Sequence, residues 1–258
     1  GEKALKTGSL SLSEARRMAL AAQGFTGSPA PDTLRFALGP DTMSLAINVN
    51  SGTNTGAAVT HTDAISADSI VGGVSITGDN NLSLTVSGAT KLATVDASAL
   101  KGTLSLNTTA STVAETITLG AGNSTVTSGS GADSITGGIG NDSLSGGSGN
   151  DTIIGGAGND TIDGGNGADS LAGGAGNDQF STSAGADTID GGDGTDKLVV
   201  SSSLYSDLTG FTISNVEALD LNSQAVTLYN AQLASFTTFT NGSGGVTLAD
   251  AGTVAGVS

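Results

Sequence analysis

Between residues 41 and 127 apolar side chains recur at every second position in short runs: Met43, Leu45, Ile47 and Val49; Leu82, Leu84 and Val86; Leu104 and Leu106; Ile117 and Leu119. Alternation of this kind predicts strands with one buried face. Gly, Asn, Asp and Ser separate the runs at spacings of about 9 to 13 residues, which fits either a β-solenoid or a sandwich. After residue 200 similar runs return in Phe211-Thr-Ile213, Val216 to Leu221, Val226-Thr-Leu228 and Val246-Thr-Leu248, with Phe236 and Phe239 among them. This tail is expected to cap the open end of a repeat structure.

The first 40 residues read differently. Ser11-Leu12-Ser13-Glu14 forms a capping box, ARRMALAAQ follows as a run of helix formers, and Gly24 is placed to stop them. One short helix is predicted over 12–23, followed by a linker punctuated by Pro29, Pro31 and Pro40. Leu12, Ala15, Ala19 and Ala22 would pack that helix against a sheet end, leaving Arg16 and Arg17 outside. The organisation expected is an N-terminal helix and linker over 1–40, a β-rich region over 41–127, a repeat block over 128–199 and a β-rich cap over 200–258.

The repeat block follows neither period. Set in register at nine residues it gives eight consecutive units: SGSGADSIT, GGIGNDSLS, GGSGNDTII, GGAGNDTID, GGNGADSLA, GGAGNDQFS, TSAGADTID and GGDGTDKLV. The sixth position is aspartate in every unit, and the eighth is Ile, Leu or Phe. A degenerate unit, LGAGNSTVT at 119–127, precedes them with Ser124 in the aspartate position. One apolar side chain in nine leaves little to bury.

Composition sharpens this. The chain has 258 residues, 41 glycines, no cysteine or tryptophan, 3% aromatic residues and a net charge of −16. So few large apolar side chains favour an elongated repeat over a thick core. Eleven aspartates against Lys197 alone place −10 of the charge in 128–199, which disfavours nucleic acid and anionic membrane as partners and favours cations. No apolar stretch approaches the ~20 residues that cross a bilayer as a helix.

The units resemble the nonapeptide G-G-x-G-x-D-x-U-x of the RTX family of calcium-binding exported proteins. That resemblance implies an all-β fold, a parallel β-roll in which six residues turn, three form a strand, and two nonapeptides complete a coil. Calcium would sit between turns stacked on the same side. Two units per coil sort the inward residues into Ile135, Ile153, Leu171 and Ile189 on one stack and Leu144, Ile162, Phe180 and Leu198 on the other.

The aspartates sort likewise into Asp133, Asp151, Asp169 and Asp187 on one edge and Asp142, Asp160, Asp178 and Asp196 on the other. These eight are the candidate metal ligands, since carboxylate oxygen suits Ca²⁺. Backbone carbonyls of Gly138, Gly140, Gly147, Gly149, Gly156, Gly158, Gly165, Gly167, Gly174 and Gly176 are candidate co-ligands, the glycines letting carbonyls converge. Adjacent pairs along each edge give about six calcium ions. Thr182 and Ser183 replace the glycine pair of the seventh unit and weaken any site using Asp187, as Ser124 weakens one at the N-terminal end. Asp163, Asp190 and Asp193 fall off the register and are read as a solvated face.

Neighbouring carboxylates about 5 Å apart, the strand spacing, repel by roughly 1 kcal/mol in water and roughly 3 at an effective dielectric of 20. The block is therefore expected to be unfolded without calcium and to fold on binding it. Such loops would stay empty in the cytosol and fill outside the cell, where comparable modules bind at ~10⁻⁴–10⁻³ M. Proteins resembling this family leave the cell through a one-step type I secretion system that reads a C-terminal signal, and the ending LADAGTVAGVS is small and apolar as such signals are.

No enzyme is expected. His61 stands alone in VTHTDAI, with no H-E-x-x-H, no G-x-S-x-G and no phosphate-binding loop. Phrases such as KLATVDASALKGTLSLNTT and ISNVEALDLNSQAVTL resemble bacterial surface-layer (S-layer) proteins. That likeness implies a secreted structural subunit that self-assembles into a lattice or filament at the cell surface, with polysaccharide or lipopolysaccharide as its anchor. The alternative is an adhesin-type binding module for glycan, ice or another cell. Hydroxyls at position seven (Ser134, Ser143, Thr152, Thr161, Ser170, Thr188), interrupted by Gln179 and Lys197, supply the ladder for it.

Overall fold

The computed structural model describes residues 10–11, 33–37, 42–48, 60–66, 70–79, 81–87, 92–201, 206–240 and 246–250. The predicted helix over 12–23 and the linker prolines lie outside them. The chain divides into two compact units, Gly1–Gly131 and Ala132–Ser258. Among the described residues the paired strands within each are parallel, so the alternating runs of residues 41–127 are wound as a solenoid, the first of the two folds their pattern allowed.

In the first unit one sheet takes Leu10–Ser11, Thr42–Asn48, Ile70–Gly78, Leu92–Leu100 and Thr116–Thr118 in that order. The other takes Thr33–Ala37, Thr60–Ser66, Asn81–Ser87, Leu104–Asn107 and Thr125–Thr127. Alternation puts two or three apolar side chains of a strand inside: Leu82, Leu84 and Val86 are all buried, above Leu104 and Leu106. Val74, Val95 and Ile117 stack in the facing sheet. His61 lies in a strand opposite Leu82.

In the second unit Ser134–Gly138, Thr152–Ala157, Ser170–Ala175, Thr188–Asp193 and Thr212–Ser214 form one sheet. Ser143–Ser145, Thr161–Asp163, Gln179–Ser181, Lys197–Val199, Ala218–Asp220 and Thr238–Thr240 form the other, and Val226–Leu228 pairs with Val246–Leu248. Ile135 pairs with Ile153, Ile153 with Leu171, and Leu171 with Ile189. Leu144, Ile162, Phe180 and Leu198 stack in the same way. All eight are buried, and the shift of two nonapeptides per coil is the one the repeat implies.

Strand length departs from three residues. Strands of the second, fourth, sixth and eighth units hold three, but those of the odd units run on for five or six through the next glycine pair. Their main chain keeps pairing because Gly138, Gly156, Gly174 and Gly192 can align coil on coil without side chains between them.

Beyond residue 200 the winding continues on longer coils: Leu198 pairs with Leu219, and Leu219 with Phe239. Phe236 and Phe239 meet edge to face with centroids 6.2 Å apart. A one-turn helix, Asn230–Leu233, was not foreseen. Its Gln232 accepts from the Tyr229 amide and donates from its buried side-chain nitrogen to the carbonyls of Leu208 and Phe211, satisfying two main-chain acceptors that the strands leave over.

Candidate metal centre

The position-six aspartates are all buried, at 0–3% exposure, and each is set at the turn before a strand. A coil of two nonapeptides brings each turn directly over the turn eighteen residues earlier, one strand spacing away. The side chain spans that gap. Oδ1 of Asp151, Asp169 and Asp187 accepts from the amides of Asp133, Asp151 and Asp169 at 2.8, 2.8 and 3.0 Å. On the other edge Oδ1 of Asp160, Asp178 and Asp196 accepts from Asp142, Asp160 and Asp178 at 2.7, 2.8 and 2.7 Å. The structure thus brings the eight predicted residues together as two rows of four.

That hydrogen bond fixes each carboxylate and directs its second oxygen. Oδ2 of Asp151, Asp160, Asp169, Asp178 and Asp196 is buried without a hydrogen-bond partner. A buried carboxylate oxygen left in this state costs several kcal/mol unless something positive meets it. The oxygen presses against the first glycine of its own unit: a β-carbon on Gly146, Gly155, Gly164, Gly173 or Gly191 would collide with Oδ2 of Asp151, Asp160, Asp169, Asp178 or Asp196. The first glycine of the repeat is there to leave that space.

The same space holds a main-chain oxygen from the next coil. At Gly137, Gly146, Gly155 and Gly173 the neighbour beside Oδ2 is the carbonyl of Gly155, Gly164, Gly173 and Gly191 respectively. The carbonyls placed against the carboxylates are therefore those of position one, which the sequence reading did not single out. The carbonyls expected as co-ligands face the glycines of the next coil. Carbonyls of Gly138, Gly147, Gly156 and Gly174 face Gly156, Gly165, Gly174 and Gly192 one coil on, and those of Gly140, Gly149, Gly158, Gly167 and Gly176 face Gly158, Gly167, Gly176, Gly185 and Gly194. Gly165 in turn lies over Gly147 with φ of 93°, a backbone that only glycine adopts readily.

Burial raises these carboxylates. It pushes Asp151 up to about 6 against the opposing hydrogen bond from the Asp133 amide, with the charges of Asp133 and Asp169 adding to the rise. Burial likewise raises Asp160, Asp169, Asp178, Asp187 and Asp196. Among the described residues no three His, Cys, Asp or Glu gather at one point. A cation here would take carboxylate oxygen from the rows and complete its shell with carbonyls, the hard-oxygen chemistry that Ca²⁺ accepts with six to eight ligands. The donor set fits that ion.

Three positions depart from the pattern. In the seventh unit Ser183 Oγ donates to Asp187 Oδ2 at 3.3 Å, so a hydroxyl stands where the other units keep glycine. Ser124 Oγ accepts from the Leu104 amide at 3.2 Å, a neutral version of the aspartate contact. Asp193 is exposed and Asp190 accepts from Asn215. Asp163 is not simply solvated: it is half-buried, accepts from the Gly165 amide, and its charge acts on Asp169 and Asp187.

Three kinds of residue escaped the sequence reading. Asparagine at position five accepts one coil on: Asn141 from the Asn159 amide, Asn159 from Asn177, Asn177 from Thr195 and Asn150 from Ala168. Its recurrence in four units was the available signal. Glu115, two residues before inward Ile117, is buried and accepts from Thr108 Oγ1 at 2.7 Å. Glu217, two residues before inward Leu219, accepts from the Asp196 amide at 2.8 Å. Both glutamates keep the acid-to-apolar spacing of the repeat without its glycines.

No curated protein matches the chain. Residues 110–144, 136–171, 145–180 and 172–200 each match the RTX calcium-binding nonapeptide repeat. Proteins with such repeats are typically secreted, and the fold is typically structural or binding in role. With its aspartate rows, inward stacks and matched segments, the chain carries a block of RTX calcium-binding nonapeptide repeats between residues 110 and 200.

Proposed function

We propose that this chain is a calcium-dependent structural exoprotein, not an enzyme, whose repeat block folds when Ca²⁺ reaches the two aspartate rows outside the cell. The observation that carries the reading is the file of buried, unpartnered Oδ2 atoms, those of Asp151, Asp160, Asp178 and Asp196 each held beside a main-chain carbonyl. Asp133, Asp142, Asp151, Asp160, Asp169, Asp178 and Asp196 supply carboxylate oxygen, and position-one carbonyls supply much of the remainder. Asp187 contributes least because Ser183 occupies its second oxygen. The six same-edge pairs give up to six ions, the Asp169–Asp187 site being the one that Ser183 keeps from filling. Circular dichroism over a calcium titration tests this: sheet signal rising between ~10⁻⁴ and 10⁻³ M supports it, and full sheet content in excess chelator overturns it.

The finer reading is a subunit of a surface lattice or filament, with cell-surface polysaccharide or lipopolysaccharide as anchor. Among the described residues Thr238–Thr240 is the last strand of its sheet, and a terminal strand offers its outer main-chain edge for pairing with another copy. Electron microscopy in millimolar calcium reads this directly, since sheets or fibres support assembly and dispersed monomers overturn it. An adhesin-type module for glycan, ice or another cell is the second reading. Ser134, Thr152, Ser170, Thr188 and Thr212 align in register, all exposed, as an unbroken hydroxyl column. Retention on a glycan array or at an ice surface would favour it.

A further inference from the structure

The acidic row ending at Asp196 does not stop where the nonapeptides stop. One coil on, across a longer connection, Glu217 accepts from the Asp196 amide at 2.8 Å, the bond that each aspartate of the row makes to the one before it. Asp196 is fully buried and its Oδ2 has no hydrogen-bond partner. That oxygen lies against Gly191, and the other atom crowding the same point is the carbonyl oxygen of Asn215. Gly191, Asp196 Oδ2 and Asn215 O therefore reproduce the arrangement of Gly173, Asp178 Oδ2 and Gly191 O one coil earlier.

Asn215 is fitted to this position. Its φ of 51° is left-handed, a conformation open to asparagine but costly for most residues. Its side-chain amide donates to Asp190 Oδ1 at 2.7 Å, which holds the turn and keeps a further carboxylate beside it. The charges of Glu217 and Asp190 both act on Asp196. A buried carboxylate oxygen without a hydrogen-bond partner, set beside a main-chain carbonyl and under the negative charge of Glu217 and Asp190, calls for a hard cation.

We infer that Asp196, Asn215 and Glu217 form a terminal calcium site, built outside the nonapeptide repeats, in which a glutamate closes the aspartate row and an asparagine carbonyl replaces that of glycine. The proposal rests on the aspartate rows being calcium rows. Its consequence is that calcium clamps the first coil after the repeats, joining the strand Ala218–Asp220 to Lys197–Val199 in the same metal-dependent unit.

Native mass spectrometry of the full chain in calcium, with wild type and Glu217→Gln side by side, tests it. The amide variant keeps an oxygen for the Asp196 amide but loses the charge. One ion fewer in the variant, with unchanged circular dichroism at saturating calcium, is the expected result. An unchanged ion count overturns the terminal site while leaving the repeat sites intact, whereas a wild type that holds no calcium overturns the underlying reading instead. Should the variant fail to fold, hydrogen exchange on wild type decides. Residues 212–220 gaining protection at the same calcium midpoint as 173–196 upholds the site, and protection there that is indifferent to calcium refutes it.

Discussion

The coils around Leu82–Leu106 and those between Asp133 and Val199 are wound alike and held differently. In the first, a strand sends in Leu82, Leu84 and Val86 over Leu104 and Leu106, and a turn can be closed by a neutral hydroxyl, Ser124 on the Leu104 amide. In the second, a strand sends in one apolar side chain per nonapeptide, and every turn is closed by a buried carboxylate. A buried Leu or Val contributes ~1.5–3 kcal/mol, so removing two of every three inward side chains leaves a deficit. Charge adds to it. The difference teaches that a solenoid of one shape can draw its cohesion from apolar burial or, on the proposed reading, from metal held between turns, and only the second can be switched by an ion.

The largest effect that would break this contrast is chelation. Excess chelator should abolish amide protection across Ser134–Val199 and leave it in Leu92–Asn107, measured by hydrogen exchange with peptide resolution. Equal loss in both segments would show that apolar burial does not hold the flanking coils, and the contrast would fall.

Acid should partly replace the metal. Burial raises the row aspartates, Asp151 from 3.8 to about 6, so the folded coil binds protons more readily than the unfolded chain. Stability of the metal-free block is therefore greatest below pH ~4 and is lost as pH rises through about 6. In chelator, lowering pH from ~7 to ~4.5 should restore sheet signal to the repeat block and change the flanking coils little. In calcium the sign inverts, because protons compete for the same oxygens, and the calcium midpoint should rise below pH ~6. A pH-independent chelated state would show that the buried carboxylates carry no such strain.

Single side chains sharpen the comparison at smaller scale. Asp178→Ala removes the acceptor for the Asp160 amide together with one oxygen of the proposed metal site. It should cost roughly 1.5–3 kcal/mol of stability in millimolar calcium, the range for a hydrogen bond to a charged group. Ser124→Ala removes the neutral counterpart on the Leu104 amide and should cost roughly 0.5–1.5 kcal/mol, with no dependence on calcium. Denaturant titration of both variants at two calcium concentrations separates the terms. A calcium-dependent penalty for Ser124→Ala would merge the two kinds of turn.

What could be read from residues follows the same division. The nonapeptide block was legible because the metal-bearing chemistry repeats letter by letter: the inward stacks of Ile135 and Leu144 and both aspartate rows pair as spacing demands. The flanking coils were legible as strands but open as to fold. Leu82 meets Leu104 and Leu104's strand meets Thr125–Thr127 at unequal separations, and apolar packing tolerates such variation in loop length where a metal turn does not. The position-one carbonyls were illegible for another reason. Which of three glycine oxygens faces a carboxylate depends on coil stacking, since all three glycines look alike in sequence. Glu115 and Glu217 were hidden because they keep the acid and lose the glycine frame.

The seventh unit offers the finest test. Ser183 Oγ gives Asp187 Oδ2 a hydrogen-bond donor at 3.3 Å, and Thr182 Oγ1 accepts from the Ser201 amide at 3.0 Å, so both replaced glycines serve the protein's own hydrogen bonds. Asp187 still caps the Asp169 amide through Oδ1, which keeps the coil stacked with or without an ion. Thr182→Gly with Ser183→Gly restores the repeat's glycine pair and releases Oδ2 of Asp187. The double variant should bind one calcium more than wild type while losing the local hydrogen bonds, a net change in stability within roughly 1 kcal/mol at millimolar calcium and a loss of similar size in chelator. Isothermal titration calorimetry reads the stoichiometry. An unchanged count would mean that the hydroxyl is not what excludes the ion, and that a metal turn and a hydroxyl turn differ by less than the two regions of this chain imply.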